Sequence, residues 1–178
     1  MALLEEAFSL VSFKFKIPSL NHHQRLTIEK IVSNKKDVFV NLPTGFGKFL
    51  FYQAVTLVFD HTTNLSGHIV VLVSPLLSLM EDQLKQLQNN GICVVNISSQ
   101  ADIDWSRIEK GEYSIVFGSP EAWLMNDRRR TMLCNEVYNR NLCAVAIDEA
   151  HVIRRWLVKS QLDTCFWMSI QFLKLHFR

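Results

Sequence analysis

Five short apolar runs constrain the fold of this chain more than any other feature of its sequence. They are 37–41 (DVFVN), 68–74 (HIVVLVS), 92–96 (ICVVN), 113–118 (YSIVFG) and 142–148 (LCAVAID). Apolar runs of this length, without alternation of apolar and polar residues, are typical of strands buried on both faces of a parallel sheet. We therefore predict a mostly parallel sheet with these runs as its strands.

The segments between the runs are long enough to form crossover helices. Residues 48–59 and 76–89 are apolar at helical spacing, and Gly91 follows the second of them as a stop signal. Shorter candidates are 21–32, before the first run, and 103–110. Strands that alternate with helices form right-handed βαβ units, so the sequence predicts a three-layer α/β domain.

The composition fits one globular domain. The chain has 178 residues and is 48% hydrophobic and 20% charged, which excludes a disordered protein. Its 19 Lys and Arg against 17 Asp and Glu give a net charge of +2, which excludes a polybasic binder. Any contact with nucleic acid must therefore come from local placement. The basic run 128–130 (RRR) is interpreted as a solvated helix face.

The sequence also indicates the compartment. Its four cysteines have neither zinc-ligand nor dense disulfide spacing, which favours a reducing environment. No uncharged apolar run approaches the ~18 residues of a membrane span, and the first ten residues carry two acids and no base. We expect an intracellular protein without membrane association.

A glycine-containing loop, 42–49 (LPTGFGKF), follows the first run and precedes a predicted helix. Glycines let the backbone N–H groups of such a loop approach a polyphosphate, and the helix N-terminus adds a partial positive charge. Lys48 would reach the β and γ phosphates. The predicted nucleotide-binding residues of the loop are Pro43, Thr44, Gly45, Phe46, Gly47, Lys48 and Phe49.

Two positions in this loop depart from the general pattern. Leu42 occupies the place of the first glycine. Phe49 occupies the place of a residue whose hydroxyl normally binds Mg²⁺, and a phenyl ring has no oxygen to offer. We therefore expect magnesium placement, and with it hydrolysis, to be impaired.

The fifth run ends in the acidic sequence 148–151 (DEAH). An acid at the carboxyl end of a parallel strand lies at the edge where open α/β sheets bind ligands. Asp148 is the predicted Mg²⁺ ligand, Glu149 the predicted general base for an attacking water, and His151 a link to other elements. From these residues alone, an N-cap aspartate followed by a solvated glutamate is the alternative.

Ser-Pro pairs follow the second and fourth runs, as Ser74-Pro75 and Ser119-Pro120. Serine can cap a helix and proline fits its first turn, so each pair predicts a helix N-terminus at the sheet edge. Two such ends suit successive phosphates of a nucleic-acid strand. Ordinary capped crossover helices are the alternative interpretation.

Taken together, these stretches resemble the first motor lobe of a superfamily 2 helicase of the RecQ family. The stretches are 42–53 (LPTGFGKFLFYQ), 74–91 (SPLLSLMEDQLKQLQNNG), 119–121 (SPE) and 147–156 (IDEAHVIRRW). The resemblance covers about 15–156 and implies a RecA-like P-loop lobe over 1–156, with a divergent tail at 157–178. It further implies ATP-dependent 3′-to-5′ DNA unwinding with ATP and Mg²⁺ as cofactors.

The resemblance also assigns an adenine-recognition segment at about 15–24. Phe15 and Gln24 match this element, and Gln24 is expected to read the adenine edge. Asn21 stands where the family usually has arginine, so the element is only partly kept.

Contacts with single-stranded or partly duplex DNA are likewise implied by the resemblance. They fall on Ser74, Ser78 and Ser119, and on Trp156, which matches an aromatic residue of the loop that couples DNA binding to hydrolysis. The family's functions imply DNA repair, and a nuclear location in a eukaryote.

The length and the tail separate this chain from a complete motor. RecQ-like enzymes hydrolyse ATP between two lobes, and 178 residues hold only the first. We expect a truncated helicase that binds nucleotide weakly and unwinds nothing alone. The alternatives are a non-catalytic nucleotide-binding or interaction module built on the lobe, and an incomplete gene product.

Overall fold

The computed structural model describes residues 2–34, 36–43, 45–99, 103–124, 126–149 and 174–177. The strands within these ranges are β1 (Val38–Val40), β2 (Ile69–Val73), β3 (Val94–Asn96), β4 (Ile115–Gly118), β5 (Leu142–Ile147) and β6 (Lys174–Phe177). The helices within them are α1 (Ala2–Phe15), α2 (His22–Val32), α3 (Phe49–Thr63), α4 (Leu77–Asn89), α5 (Trp105–Glu109), α6 (Pro120–Leu124), α7 (Asp127–Leu133) and α8 (Glu136–Asn141).

The described strands form one sheet in the order β1-β6-β5-β2-β4-β3, and every neighbouring pair is parallel. All five predicted strands are confirmed, each within the predicted run. Because the strands share one direction, their carboxyl ends meet at the same edge of the sheet. The loop after β1, Ser74 after β2, Ser119 after β4 and Asp148 after β5 therefore emerge at one edge.

Helices cover both faces of the sheet, which confirms the predicted three-layer α/β domain. On one face, Phe51 and Tyr52 of α3 and Met80 of α4 pack in one core cluster with β2, β4 and β5. On the opposite face, Trp123 and Tyr138 belong to a second cluster that α5, α6, α7 and α8 build. None of the described helices combines the length and the apolar character that a membrane crossing requires.

Helices α1 and α2 pack against α3 in a third core cluster. Phe8 and Val11 of α1 and Ile28 of α2 pack against Leu50 of α3. The apolar runs did not indicate α1. The predicted helix 21–32 begins one residue later, because Asn21 is its N-cap.

The basic run is used for internal contacts as well as solvation. The Arg128 side chain is 60% exposed but pairs with Glu109 on α5 at 2.6 Å. Arg129 lies over the ring of Trp105, with 4.9 Å from its guanidinium carbon to the ring centroid, and donates to the Ala122 carbonyl oxygen at 2.7 Å. A solvated face is therefore an incomplete description, because this run attaches α7 to α5 and α6.

Strand β6 comes from the segment that the sequence analysis assigns to a divergent tail. It lies between β1 and β5 and pairs in parallel with both of them. The four residues of this strand therefore connect β1 to β5 and join the phosphate-loop strand to the rest of the sheet.

Candidate nucleotide-binding site

The loop between β1 and α3 carries the predicted phosphate-binding residues, of which Thr44 lies outside the described residues. Gly45 and Gly47 have φ values of 90° and 70°. Glycine adopts this left-handed region without steric cost, whereas other residues are strained there. At Gly47 a Cβ would also come within 2.6 Å of Gln24 Nε2. The backbone path and its neighbour both require glycine at this position.

Gln24 holds this loop in place. Its Nε2 donates to the Gly47 carbonyl oxygen at 3.2 Å, and its Oε1 accepts from the Asn21 N–H at 2.9 Å. Asn21 in turn donates from Nδ2 to the Phe46 carbonyl oxygen at 3.5 Å. Each end of the Gln24 amide thus makes one hydrogen bond within the protein, which leaves one N–H and one lone pair for a ligand.

Lys48 stands at the N-cap of α3, a helix of 15 residues without a side-chain cap at this end. The helix N-terminus therefore brings a partial positive charge to the loop, while its Leu50 and Phe51 N–H groups donate to the Gly47 and Lys48 carbonyl oxygens at 3.2 Å. Phe49, the next residue, packs at the margin of the core and lies 6.3 Å from the Tyr52 ring, centroid to centroid. The phenyl ring of Phe49 thus occupies the position where a hydroxyl group is usual.

Asp148 lies at the carboxyl end of β5 and is 6% exposed. Its Oδ2 accepts from the Ser74 hydroxyl at 3.4 Å, and its Oδ1 accepts from the Glu149 N–H at 3.0 Å. Burial raises the pKa of this carboxyl above its usual range, and the charge of Glu149 raises it further, while the Lys48 ammonium acts to lower the pKa. The lysine and the acid, a hundred residues apart in the chain, both lie at the carboxyl edge of the sheet.

Glu149 is half-buried and has a φ of 54°, a strained value for a residue with a side chain. Strained backbone of this kind persists where the surrounding structure fixes it, often at functional sites. His151 and Trp156, the other predicted residues of this segment, lie outside the described residues.

The Ser-Pro pair after β4 forms the predicted capped helix. Pro120 is the first residue of α6, and the Ser119 hydroxyl accepts from the Ala122 N–H at 3.1 Å. The Ser119 N–H donates to the Ser98 hydroxyl at 2.6 Å. This end therefore combines a regular cap with a half-buried serine at the sheet edge.

The prediction that Ser74 caps a helix is wrong. Helix α4 begins at Leu77, and Leu76 stands at its N-cap without a side-chain cap. The Ser74 hydroxyl accepts from the Leu76 N–H at 3.5 Å and donates to Asp148, and the residue is 1% exposed. The Ser74 hydroxyl thus positions the Asp148 carboxylate. Ser78, in the first turn of α4, is exposed to solvent.

A cavity of about 560 Å³ opens beside the loop and extends to the end of α1. This volume falls in the range of small-molecule sites. Its polar and aromatic lining includes Phe15, Gln24, Phe46, Phe49 and Gln53. The predicted adenine-recognition segment, the loop and α3 therefore share one cavity.

The candidate metal ligands are few. Among the described residues, no group of three or more His, Cys, Asp and Glu side chains could hold a metal ion. Mg²⁺ is commonly held by one or two carboxylates together with phosphate oxygens, so Asp148 beside a bound polyphosphate fits this ion. Phe49 adds no ligand.

A buried hydrogen bond between Tyr52 and Gln83 was missed by the sequence reasoning. The Tyr52 hydroxyl donates to Gln83 Oε1, which joins α3 to α4. Burial raises the pKa of Tyr52 well above its usual range, and the charge of Asp148 raises it further. The available signal was Gln83 itself, a polar residue at helical spacing between the buried Met80 and Leu87.

Comparisons with known proteins place this chain in a family. A family model described as DEAD/DEAH box helicase matches residues 21–173. The ATP-dependent DNA helicase RecQ of Haemophilus influenzae is 32% identical over 155 residues, which are 84% of this chain and 23% of that protein. The RecQ of Bacillus subtilis is 30% identical over 159 residues, 86% of this chain and 25% of that protein.

ATP-dependent helicase SGS1 of Saccharomyces cerevisiae is 30% identical over 147 residues, which are 80% of this chain and 10% of that protein. The chain thus spans between a tenth and a quarter of the length of these three relatives.

Two solved structures share the fold. The Sulfolobus solfataricus SWI2/SNF2 ATPase core in complex with dsDNA has a TM-score of 0.61 at 16% identity, and covers 89% of this chain and 31% of its own. The DUF1998 helicase MrfA has a TM-score of 0.67 at 19% identity, and covers 97% of this chain and 28% of its own. The likeness confirms a RecA-like α/β domain.

Proposed function

Because the chain belongs to the DEAD/DEAH box helicase family and its homologues include RecQ-type helicases, we propose that it is the ATP-binding lobe of a 3′-to-5′ DNA helicase. The observation that carries this proposal is that the loop with Lys48, after β1, and Asp148, after β5, both lie at the carboxyl edge of one parallel sheet. An ammonium and a carboxylate beside a glycine loop at a helix N-terminus suit a metal-bound triphosphate.

The proposed roles follow from where the residues lie. Lys48 and the backbone N–H groups of 45–49 bind phosphates, and Phe15 and Gln24 contact the base from the adjoining cavity. Asp148 holds Mg²⁺, which neutralises phosphate charge when bound, and Glu149 accepts a proton from the attacking water. His151 and Trp156 keep the roles that the family resemblance implies.

DNA is the proposed partner of the sheet edge beyond the nucleotide. Ser78 is exposed in the first turn of α4, where Leu76 and Leu77 are 47% and 49% exposed. Ser119 stands at the next strand end along the same edge. Ser74 is not among the proposed contacts, because its hydroxyl is buried against Asp148.

The binding of a fluorescent ATP analogue tests the nucleotide part of the proposal. We expect Lys48→Ala to weaken binding by about tenfold or more, since hydrogen bonds to charged groups contribute roughly 1.5–3 kcal/mol. Lys110→Ala, an exposed lysine at the end of α5, is the matched control and should bind as the parent chain does. Equal binding by all three proteins would refute the assignment.

A second candidate function, a nucleotide-binding module without turnover, is favoured by the packing of Phe49. ATP turnover by the purified chain, with and without single-stranded DNA, separates the two candidates. The Phe49→Ser variant restores a hydroxyl beside Lys48 and should bind ATP more tightly only when Mg²⁺ is present. DNA-stimulated turnover by the parent chain would exclude the module.

A further inference from the structure

We propose that Gln53 is a second base-reading residue, whose side-chain N–H₂ group donates a hydrogen bond to an acceptor nitrogen of a purine ring. This inference rests on the proposed nucleotide site and extends it. It concerns a polar group of α3 that neither the loop nor the carboxylate side uses.

Gln53 is 4% exposed and lines the 560 Å³ cavity beside the loop. Its Nε2 is buried and has no hydrogen-bond partner within the described part of the chain. Buried amide groups are nearly always hydrogen-bonded, because losing water without gaining a partner is unfavourable. Because Nε2 is buried while the residue lines the cavity, a turn of the Gln53 amide would bring this unmet donor to a bound acceptor.

The position of Gln53 on α3 fits the base end of a nucleotide. It lies one helical turn beyond Phe49, so the same helix presents its N-terminus to the phosphates and Gln53 to the cavity. The terminal torsion of a glutamine is soft, which lets the amide turn toward a ligand without backbone movement.

The chemistry of the cavity favours a purine. Phe15 and Phe49 supply aromatic walls for a planar ring. Gln24 already donates one N–H to the Gly47 carbonyl oxygen and accepts one hydrogen bond from the Asn21 N–H. Half of its hydrogen-bonding capacity therefore remains for a ligand. A purine carries ring nitrogens that only accept hydrogen bonds, and Gln53 provides the unused donor.

The first experiment compares ATP with tripolyphosphate, which lacks the base and the sugar. We expect Gln53→Leu to weaken ATP binding by about three- to tenfold and to leave tripolyphosphate binding unchanged. Thr56→Val is the matched control, because the Thr56 hydroxyl is also buried on α3 without a partner among the described residues, but Thr56 does not line the cavity. It should bind both probes as the parent chain does.

The outcomes separate this inference from the nucleotide site itself. If neither probe binds the parent chain, the proposed function fails. If both bind and Gln53→Leu changes neither, the function stands and the role of Gln53 is refuted. Equal weakening of both probes also refutes it, because the variant would then disturb the loop.

A second measurement changes the ligand and compares its binding to the parent chain and to Gln53→Leu. ATP analogues in which N1, N3 or N7 is replaced by C–H each remove one acceptor nitrogen from the ring. We expect one analogue to bind the parent chain as weakly as ATP binds Gln53→Leu. The same analogue and ATP should then bind Gln53→Leu equally, because the variant no longer contacts that ring nitrogen. If all three analogues bind the parent chain as tightly as ATP, Gln53 does not read the ring.

Discussion

The two sides of the candidate site differ in how far the protein satisfies its own polar groups. On the carboxylate side, Asp148 is buried and accepts hydrogen bonds from Ser74 and the Glu149 backbone. On the loop side, the stretch 45–47 is exposed and the Gln53 amide lacks a partner among the described residues. The carboxylate side is thus organised by the fold, whereas the loop side leaves polar groups for a ligand to complete.

This difference has a physical cause in the sheet. Asp148 directly follows a strand hydrogen-bonded on both sides, and its own N–H donates to the Val73 carbonyl oxygen at 2.9 Å. The loop instead departs from β1, one of the two edge strands of the described sheet, and is held by Gln24. We therefore expect substitutions on the loop side to change nucleotide binding together with stability, and those on the carboxylate side to change stability or turnover.

The largest effect is expected from Gly47→Ala, which attacks the loop side directly. The new Cβ would meet Gln24 Nε2 at 2.6 Å, and the left-handed φ of 70° is strained for alanine. We expect a loss of about 1–3 kcal/mol in the free energy of unfolding, measured by urea denaturation, together with loss of ATP-analogue binding.

Gly67→Ala is the matched control for this variant. Gly67 has a φ of 94°, but a Cβ there would meet nothing within 4 Å. It carries the conformational strain alone and should leave nucleotide binding intact. If Gly47→Ala binds the analogue as tightly as Gly67→Ala does, the loop is not the phosphate site.

A smaller effect is expected from Tyr52→Phe, which breaks the buried bond between α3 and α4. The variant leaves Gln83 Oε1 buried without its donor, and such an unmet group costs about 1–2 kcal/mol. Adding Gln83→Leu should recover part of this loss in the double variant, as measured by denaturation. If the double variant is as destabilised as the sum of the two single ones, the bond does not join the helices.

Much of this arrangement could be predicted from local sequence. Continuous apolar runs identify buried parallel strands, and a glycine loop between a strand and a helix identifies the phosphate-binding side. Both signals depend on residues adjacent in the chain, whose conformational and burial preferences act locally. The direction of parallel strands then brings 43–49 and Asp148 to one edge without further information.

The features that could not be predicted depend on partners distant in the chain. Ser74 and Ser119 stand in identical Ser-Pro pairs, yet one bonds to Asp148 and the other caps a helix. Strand β6 has only four residues, and it is defined by its parallel pairing with β1 and β5, which are distant in the chain. Gln53 becomes distinctive only when the cavity beside it is known.

The smallest expected effect, and the one of opposite sign, belongs to Asp148→Asn on the carboxylate side. Burial raises the pKa of Asp148 in the folded protein above its value in the unfolded chain. Between those two values the folded state binds more protons, so the stability of the parent chain falls as the pH rises through that window. The asparagine variant has no carboxyl to ionise at this position and escapes the loss.

At neutral pH we therefore expect Asp148→Asn to unfold at a higher urea concentration, with a gain of about 0.5–1 kcal/mol that shrinks as the pH is lowered. Asp82→Asn, an exposed acid on α4, is the control and should show no such pH-dependent gain. A variant less stable than its parent at neutral pH would mean that Ser74 and Lys48 already offset the burial of the charge. The carboxylate side would then be held together by its ionised acid, and its contrast with the loop side would lie in exposure alone.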